Sequence, residues 1–489
     1  MGPIQSMNAE SVETLVIGGG ITGACFFHVA ARRGREVLLV ERGDFASGTS
    51  QASGMMIWGG LLYLKNLEFK LVRKFSRSRD RLLARRPDQA DVRRIVFLPL
   101  LRGGRPGWFV WAGLQLYRAL SNFRRGPVLP SPCTAEELGF RGGRFARGWS
   151  YEEGFLRSSD ALFCLDWLVG SGRFERALNH TLIASLTWDG QARLFHVVLR
   201  DSITGRERKV EARRVVNCAG PWADSVNKEW GVSTSTRHHH SKGVYLLLRN
   251  AGDEQALAME MEHEGDALCW VPWGPVAMWG PTETDITHPD EGRATTEDVD
   301  FLLERLNRNS ARRWTRDDIL NVRVGTRPLA LPPGRKVSYS LDLSRRAILE
   351  EHPEIPWSTA FGGKLSGALD FAILMHERIH GDKIRPNGFP VAPPRARPTT
   401  RENFGGMSLV DPAWCRDHEA CRTLEDYLRR RTNAGQWIAH GGIGRSREHL
   451  GDLARIASIL HPDDLDGAKA DLDSYIQAQD DFRRSWNHG

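Results

Sequence analysis

The sequence predicts an α/β chain of two domains (α+β in overall plan). A dinucleotide-binding domain with a parallel sheet is expected beside a second, mixed or antiparallel sheet and a small C-terminal helical cap. Three observations predict this. Leu15-Val16-Ile17 is an apolar strand that runs into the glycine turn Gly18-Gly19-Gly20-Ile21-Thr22-Gly23, which opens a helix. Val37-Leu38-Leu39-Val40 reads as the next buried strand and ends on Glu41. Residues 244–248 and 267–273 alternate as strands of another sheet, and beyond residue 407 the composition turns polar and helical.

The glycine turn sets the chemistry of the first domain. Gly18, Gly20 and Gly23 stand in G-x-G-x-x-G register. The first permits the tight turn, the second lets backbone approach a pyrophosphate, and the third lets helix and strand pack closely. The N–H groups and dipole of the new helix face the phosphates. Glu41 stands where an acid accepts hydrogen bonds from a ribose 2′-hydroxyl.

The remaining elements follow in order. A helix over 23–33 ends at Gly34. The loop 43–54 is rich in small and hydroxyl residues that let a ligand crowd the backbone. An apolar stretch with Gly59-Gly60 inside it precedes a basic amphipathic helix over 68–83. In residues 95–130, Trp108, Phe109, Trp111, Leu114, Leu116 and Tyr117 are flanked by Arg102, Arg105, Arg118, Arg124 and Arg125. That pattern suits a membrane interface or a buried helix with snorkelling arginines at its ends, and the buried helix is the expectation. Helix 160–169 and strands 182–186 and 194–201 follow. The strand 214–218 closes on small residues, which invites close approach of a cofactor or a tight turn. His238-His239-His240 reads as an exposed loop, and no metal site is expected. A helix over 296–307 is capped by Thr296. A second glycine segment, 361–367, opens a helix over 368–379. Residues 383–406 read as a linker, and 424–431, 448–460 and 465–486 as cap helices.

Bulk properties narrow the class. A chain of 489 residues holds two or three domains. Its net charge of +7 and pI of about 9.1 point to an anionic substrate or membrane surface, because no nucleic-acid motif accompanies the dispersed basic residues. Seven cysteines form no C-x-x-C pair, so reduced cytosolic thiols are expected rather than zinc or a disulfide framework. No run of 18 apolar residues spans a membrane, and no signal-peptide core is present. The expected location is the cytoplasm, with peripheral contact at the inner face of the membrane as the alternative. The first six residues match a myristoylation pattern that Pro3 fits poorly.

From about Glu13 to Gly381 these motifs resemble the FAD-dependent glycerol-3-phosphate dehydrogenases, within the D-amino-acid-oxidase-like flavoproteins. The residues that carry the resemblance are Gly18–Ala24 with Glu41, Thr49-Ser50-Gln51-Ala52-Ser53 with Gly59-Gly60-Leu61-Leu62-Tyr63-Leu64, and Asn217-Cys218-Ala219-Gly220-Pro221-Trp222. Gly325-Thr326-Arg327-Pro328-Leu329, Phe361-Gly362-Gly363-Lys364-Leu365 and Leu424–Thr432 extend it. The resemblance implies FAD, held by Gly18, Gly20, Ile21, Thr22, Gly23, Glu41 and Arg42. Thr49, Ser50, Ser53, Gly54 and Ile183 join them, then Ala219, Gly220 and Trp222, and finally Gly363, Lys364, Leu365 and Ser366. It implies hydride transfer from a substrate CH–OH to flavin N5, with quinone or oxygen as electron acceptor. It also implies an FAD-binding domain of discontinuous segments 13–95, 150–240 and 320–382. A lead-in (1–12), a substrate domain (96–149 and 241–319), a linker (383–406) and a cap (407–489) complete the plan.

The departures fall on the substrate side. Where the family carries lysine and histidine before Gly-Gly, this chain has Met55 and Trp58, and Leu62 replaces the arginine before the tyrosine. Tyr245 replaces the histidine after Lys242-Gly243, and Ser366-Gly367-Ala368-Leu369 replaces Thr-Thr-Tyr-Arg. Tyr63, Lys242, Arg327 and Lys364 remain. Arg327, Lys364, Tyr63 and Tyr245 are therefore the catalytic candidates: Arg327 for a fork onto an anion, Lys364 for charge developing on the flavin, the tyrosines for the reacting group. Three functions compete: oxidation of glycerol 3-phosphate or a related anion, oxidation of an amine, amino acid or hydroxy acid, and a non-catalytic flavin-binding role.

Overall fold

A computed structural model describes residues 9–249, 255–261, 267–335, 343, 345–385 and 396–487. Their contacts divide the chain into two units, one of 1–51, 163–241 and 326–394, the other of 52–162, 242–325 and 395–489.

The first unit is built on an eight-stranded sheet. Its central order is Ala347–Glu351, Trp357–Gly362, Glu207–Asn217, Glu10–Ile17, Val37–Val40, Ala177–Leu178. The middle pairings are parallel, and their register decides where a ligand can bind. Ile17 lies beside both Val40 and Asn217, and Asn217 beside Thr359. The carboxyl ends of these strands are therefore level, and open parallel sheets bind ligands at such ends. Val12, Leu15, Leu38, Val40, Val197 and Val215 pack in one cluster, which explains the near-continuous apolar runs of these strands. The helices Ile21–Arg32 and Ala368–His380 pack against one another.

The second unit carries a mixed sheet. Met56–Ile57, Trp149–Leu156 and Ala90–Leu98 pair antiparallel, Ala256–Glu260 runs parallel to Ala90–Leu98, and Ala267–Trp273 and Val276–Gly280 continue antiparallel. The helix Thr296–Asn309 covers it through Val299, Leu302, Leu303 and Leu306. Leu424, Tyr427, Leu428, Leu453, Ile456 and Tyr475 form a further core among the C-terminal helices. Among the described residues no helix is long and apolar enough to cross a membrane.

Several expectations need correction. The first strand starts at Glu10, inside the expected lead-in, because its pairing with Glu207–Asn217 begins at Glu10 and Val210. Residues 1–8 lie outside the described residues. Residues 52–95 and 150–162 group with the second unit, because the strands they contain pair with Ala256–Glu260 and with each other. The linker 383–406 includes a strand, Thr399–Phe404, that pairs with Met407–Val410, and residues 386–395 lie outside the described residues. Thr295, not Thr296, caps its helix: Asp298 N–H donates to Thr295 Oγ1, and the Asp298 carboxylate accepts from Thr295 N–H at 3.0 Å. The expected buried helix is Gly107–Leu120, but only Val110, Leu114 and Tyr117 are buried, and its other aromatic residues face solvent.

Candidate functional site

In the first unit, backbone groups line the level strand ends, and side chains fix them. Gly18 has φ +105°, and a Cβ there would stand 2.6 Å from the Cys218 carbonyl oxygen. A Cβ on Gly23 would overlap the Gly18 carbonyl oxygen. Gly20 begins the helix Ile21–Arg32 with no side-chain cap, and Ile21 N–H donates to Ser50 Oγ at 2.8 Å. Glu41 accepts from Gly19 N–H at 2.7 Å and Gly43 N–H at 2.9 Å. Burial pushes its carboxyl above the usual carboxylate range, and those two donors pull the other way. Each oxygen keeps a lone pair for a further donor. The Arg42 guanidinium lies over the Trp222 ring, 4.7 Å from its centroid. Thr181 N–H donates to Glu41 O, whereas Ile183, two residues on, packs on the core cluster of the sheet.

A second set of contacts gathers the later motifs. Thr49 Oγ1 donates to Thr326 O at 2.6 Å, so the Thr49-Ser50 pair links the glycine-turn helix to the Arg327 strand. Arg327 Nη1 donates to Ser241 Oγ at 3.4 Å. Asn217 is buried and accepts from Ala219 N–H at 3.1 Å while donating to Ala223 O and Asn227 Oδ1, which fixes the turn through Ala219 and Gly220. Gly363 and Lys364 lead into the short turn Leu365–Gly367 and the helix Ala368–His380. Ser366 Oγ is buried there with no partner among the described residues.

The three histidines are not a loop. They lie in the strand Arg237–Arg249, where alternation turns His238 and His240 to one side. His238 Nδ1–H donates to Asp224 Oδ2 at 2.7 Å, and His238 Nε2 accepts from Gly362 N–H at 3.1 Å. His240 Nε2–H donates to Pro221 O at 2.9 Å. Ligand atoms of Asp224, His238 and His240 lie within 4.8 Å of one another, but every one of these side chains is already engaged by protein. The set reads as a clamp on Gly362.

The second unit holds the tyrosines and several buried charge networks. Tyr63 follows Gly59-Gly60 and packs on Phe75, with ring centroids 6.0 Å apart. The Tyr245 hydroxyl stands 2.5 Å from where a Gly54 Cβ would be. Ser53 N–H donates to Asp160 Oδ2 at 2.8 Å, and Ser53 O accepts from Arg323 Nε at 3.1 Å. Arg323 and Asp160 form a fully buried ion pair. Arg79 Nη1 donates to Glu153 Oε1 at 2.6 Å and to Tyr117 Oη at 3.0 Å, and Tyr117 donates to Glu153 Oε2 at 2.6 Å. Burial opposes the charge on Arg79, but Glu153, Tyr117 and Asp80 hold its pKa above the ordinary value. Lys242 Nζ pairs with Asp298 at 2.6 Å, both side chains buried, so this cation is neutralised within the unit. The apolar replacements are partly core as well: Met55 and, in the first unit, Leu369 are buried.

The family model for FAD dependent oxidoreductases (DAO) matches residues 13–369. The chain belongs to that family. It is 28% identical over 397 residues to the aerobic glycerol-3-phosphate dehydrogenase of Staphylococcus haemolyticus, covering 77% of this chain and 69% of that protein. It is 31% identical over 369 residues to the D-erythritol 1-phosphate dehydrogenase of Brucella abortus, covering 73% and 71%. Its fold is shared with the glycerol-3-phosphate dehydrogenase of Bacillus halodurans solved with FAD, at a TM-score of 0.72 and 18% identity over 98% of this chain and 96% of that one. This protein is an FAD-dependent oxidoreductase. Its residues fit that cofactor on two observations: the helix Ile21–Arg32 opens on Gly20 with no side-chain cap, and Ser366 offers a buried hydroxyl with no protein partner among the described residues.

Sequence reasoning missed Asn217 as a brace, the His238 clamp, and the Arg79, Arg323 and Lys242 networks. A signal existed for Arg323: it is the one charge in the run Ile319-Leu320-Asn321-Val322-Arg323-Val324, where a buried strand needs a partner for it.

Proposed function

We propose that this protein oxidises the CH–OH group of a small anionic substrate, glycerol 3-phosphate or a related polyol phosphate. The observation that carries the reading is Arg327, joined to the Thr49-Ser50 segment through Thr326 within the cofactor unit. Both relatives at the highest identities quoted above are named for phosphorylated polyols, which supports a phosphate at the anionic end.

Bound FAD supplies the hydride acceptor. Gly18, Gly20, Ile21, Thr22 and Gly23 hold its pyrophosphate, and Glu41 and Arg42 its adenosine end. Thr49, Ser50, Ser53, Gly54, Ile183, Ala219, Gly220 and Trp222 line its length. Gly363, Lys364, Leu365 and Ser366 hold the ring end. Arg327 forks onto the substrate anion and fixes its approach. Lys364 offsets negative charge gathering at the ring end, and Tyr63 and Tyr245 hydrogen-bond the reacting group. Electrons leave to a quinone or to oxygen, and the protein works in the cytoplasm.

A second reading, oxidation of an amine, amino acid or hydroxy acid, draws on the lost cations. Met55, Leu62 and Leu369 replace charged residues, and Lys242 is consumed by Asp298. A phosphate dianion prefers several charge-assisted donors, so fewer cations suit a carboxylate. Anaerobic titration of the holoenzyme separates the readings. Glycerol 3-phosphate or another polyol phosphate should bleach the visible flavin absorbance. Bleaching by amino acids alone would replace the first reading with the second.

A further inference from the structure

In the first unit the helix Ile21–Arg32 ends, and the strand Val37–Val40 begins, at a cavity of about 410 Å³. Residues of the turn between them line it, together with residues of the strands Glu10–Ile17 and Glu207–Asn217. The register brings these segments together: Thr14 lies beside Arg214, and Glu13 N–H donates to Glu36 O at 2.9 Å. The helix has 12 residues, so the cavity lies about 18 Å along it from the glycine turn, at 1.5 Å per residue. Neither Arg327 nor any of the residues proposed to hold FAD lines it.

The charges around this cavity do not balance. Four guanidiniums line it, those of Arg33, Arg35, Arg213 and Arg214, against the carboxylates of Glu13 and Glu36. Both carboxylates already meet cations: Glu13 pairs with Arg35 at 3.5 Å, and Glu36 with Arg176 at 3.2 Å. Arg35 also pairs with Asp382 at 2.5 Å. Arg214 donates to a neutral group, the Ile379 carbonyl oxygen, and its Nε is buried with no hydrogen-bond partner among the described residues. The side chains of Arg33 and Arg213 make no hydrogen bond or ion pair among the described residues. Arg33, Arg213 and Arg214 therefore line one concave site with no carboxylate partner among those residues. Positive charge gathered in this way is offset when an anion binds.

We infer that this cavity binds a small phosphate monoester with a hydroxylated body, at a site separate from the cofactor and from the substrate that is oxidised. The phosphate lies among Arg33, Arg213 and Arg214, because planar guanidinium forks match its oxygens. Four cations against two carboxylates leave two positive charges, which suits a phosphate dianion. The volume falls within the roughly 300–1,000 Å³ of small-molecule pockets, so there is room for more than the phosphate. The Ser11 hydroxyl and the carboxylate lone pairs of Glu13 and Glu36 serve the hydroxyls of the ligand body. Among the described residues no aromatic ring lines the cavity, and Val12 is its one apolar side chain. A nucleobase finds no stacking platform there, and an acyl chain no apolar wall.

Calorimetric titration of the FAD-loaded protein with glucose 6-phosphate tests it. Wild type should show saturable binding, with inorganic phosphate weaker and glucose silent. The double variant Arg33→Gln, Arg213→Gln should bind at least ~10-fold more weakly, because it loses two charge-assisted contacts. Both side chains are exposed, and unchanged flavin content and melting temperature verify that the variant is folded. The variant Arg327→Ala should bind glucose 6-phosphate as wild type does, which keeps this result independent of the reaction proposed above. Wild type with no saturable binding below ~10 mM overturns the inference. So does binding that survives in the double variant or vanishes in Arg327→Ala. Inorganic phosphate bound as tightly as glucose 6-phosphate overturns the hydroxylated body and with it the ligand class.

Discussion

The two units differ in the polar contacts that surround their motifs. In the first unit, backbone N–H groups around the glycine segments each donate to one side chain: Gly19 to Glu41, Ile21 to Ser50, Ala219 to Asn217 and Gly362 to His238. In the second unit the polar side chains pair with each other, as Arg79 with Glu153, Arg323 with Asp160 and Lys242 with Asp298. The difference teaches where such a protein can diverge. A backbone cradle is a shape, and nearly any change destroys it. A charge network is a set of partnerships, and one pair can replace another if the charges still balance. Of the departures from the family pattern, Met55, Trp58, Leu62 and Tyr245 lie in the second unit and Ser366–Leu369 in the first, while the glycine turn stays intact.

Three substitutions bear on that contrast. The largest effect is expected from Glu153→Ala, which removes the carboxylate shared by buried Arg79 and Tyr117, leaves Arg79 with Asp80, and should cost ~3–5 kcal/mol in urea denaturation. A cost below ~1 kcal/mol would mean that water or rearrangement satisfies Arg79, and the picture of closed networks would fail. Next, Gly23→Val should weaken FAD binding roughly 100-fold, the upper end of an overpacking cost of ~3 kcal/mol, with the charge networks untouched. Retained stoichiometric flavin at low FAD concentration would show that the cradle is more plastic than its geometry implies. The smallest is Arg327→Ala, expected to raise KM for the anionic substrate about 30-fold through the loss of a charge-assisted contact worth ~2 kcal/mol, at unchanged flavin content. Unchanged KM would move the anion contact elsewhere.

The cofactor side was legible because its requirements are local and steric. A strand, a turn that admits no Cβ at Gly18 or Gly23, and an acid at the end of the next strand are fixed within a short stretch of chain. The substrate side was not, because its meaning depends on partners distant in sequence. Arg323 and Asp160 are 163 positions apart, Arg79 and Glu153 74, and Lys242 and Asp298 56. Lys242 kept its family position and still lost its availability, which no local pattern records. The aromatic helix shows a third limit. Its composition is that of a buried element, and the number of its faces that are covered depends on what packs against it. The histidine run illustrates the reverse case: three polar residues look solvent-bound in sequence, yet they lie in a strand where Asp224, Gly362 and Pro221 engage His238 and His240.

Tyr117 belongs to two worlds. It is an inward residue of the aromatic helix, and its hydroxyl occupies the place that a Cβ on Gly59 would need. The helix therefore has a side free to drift and a side held by a lock and key. Across descendants of this chain, Trp108, Phe109 and Trp111 can be exchanged for other apolar residues. Gly59 and position 117 should covary, with a side chain appearing at 59 only in lineages where the hydroxyl at 117 has gone.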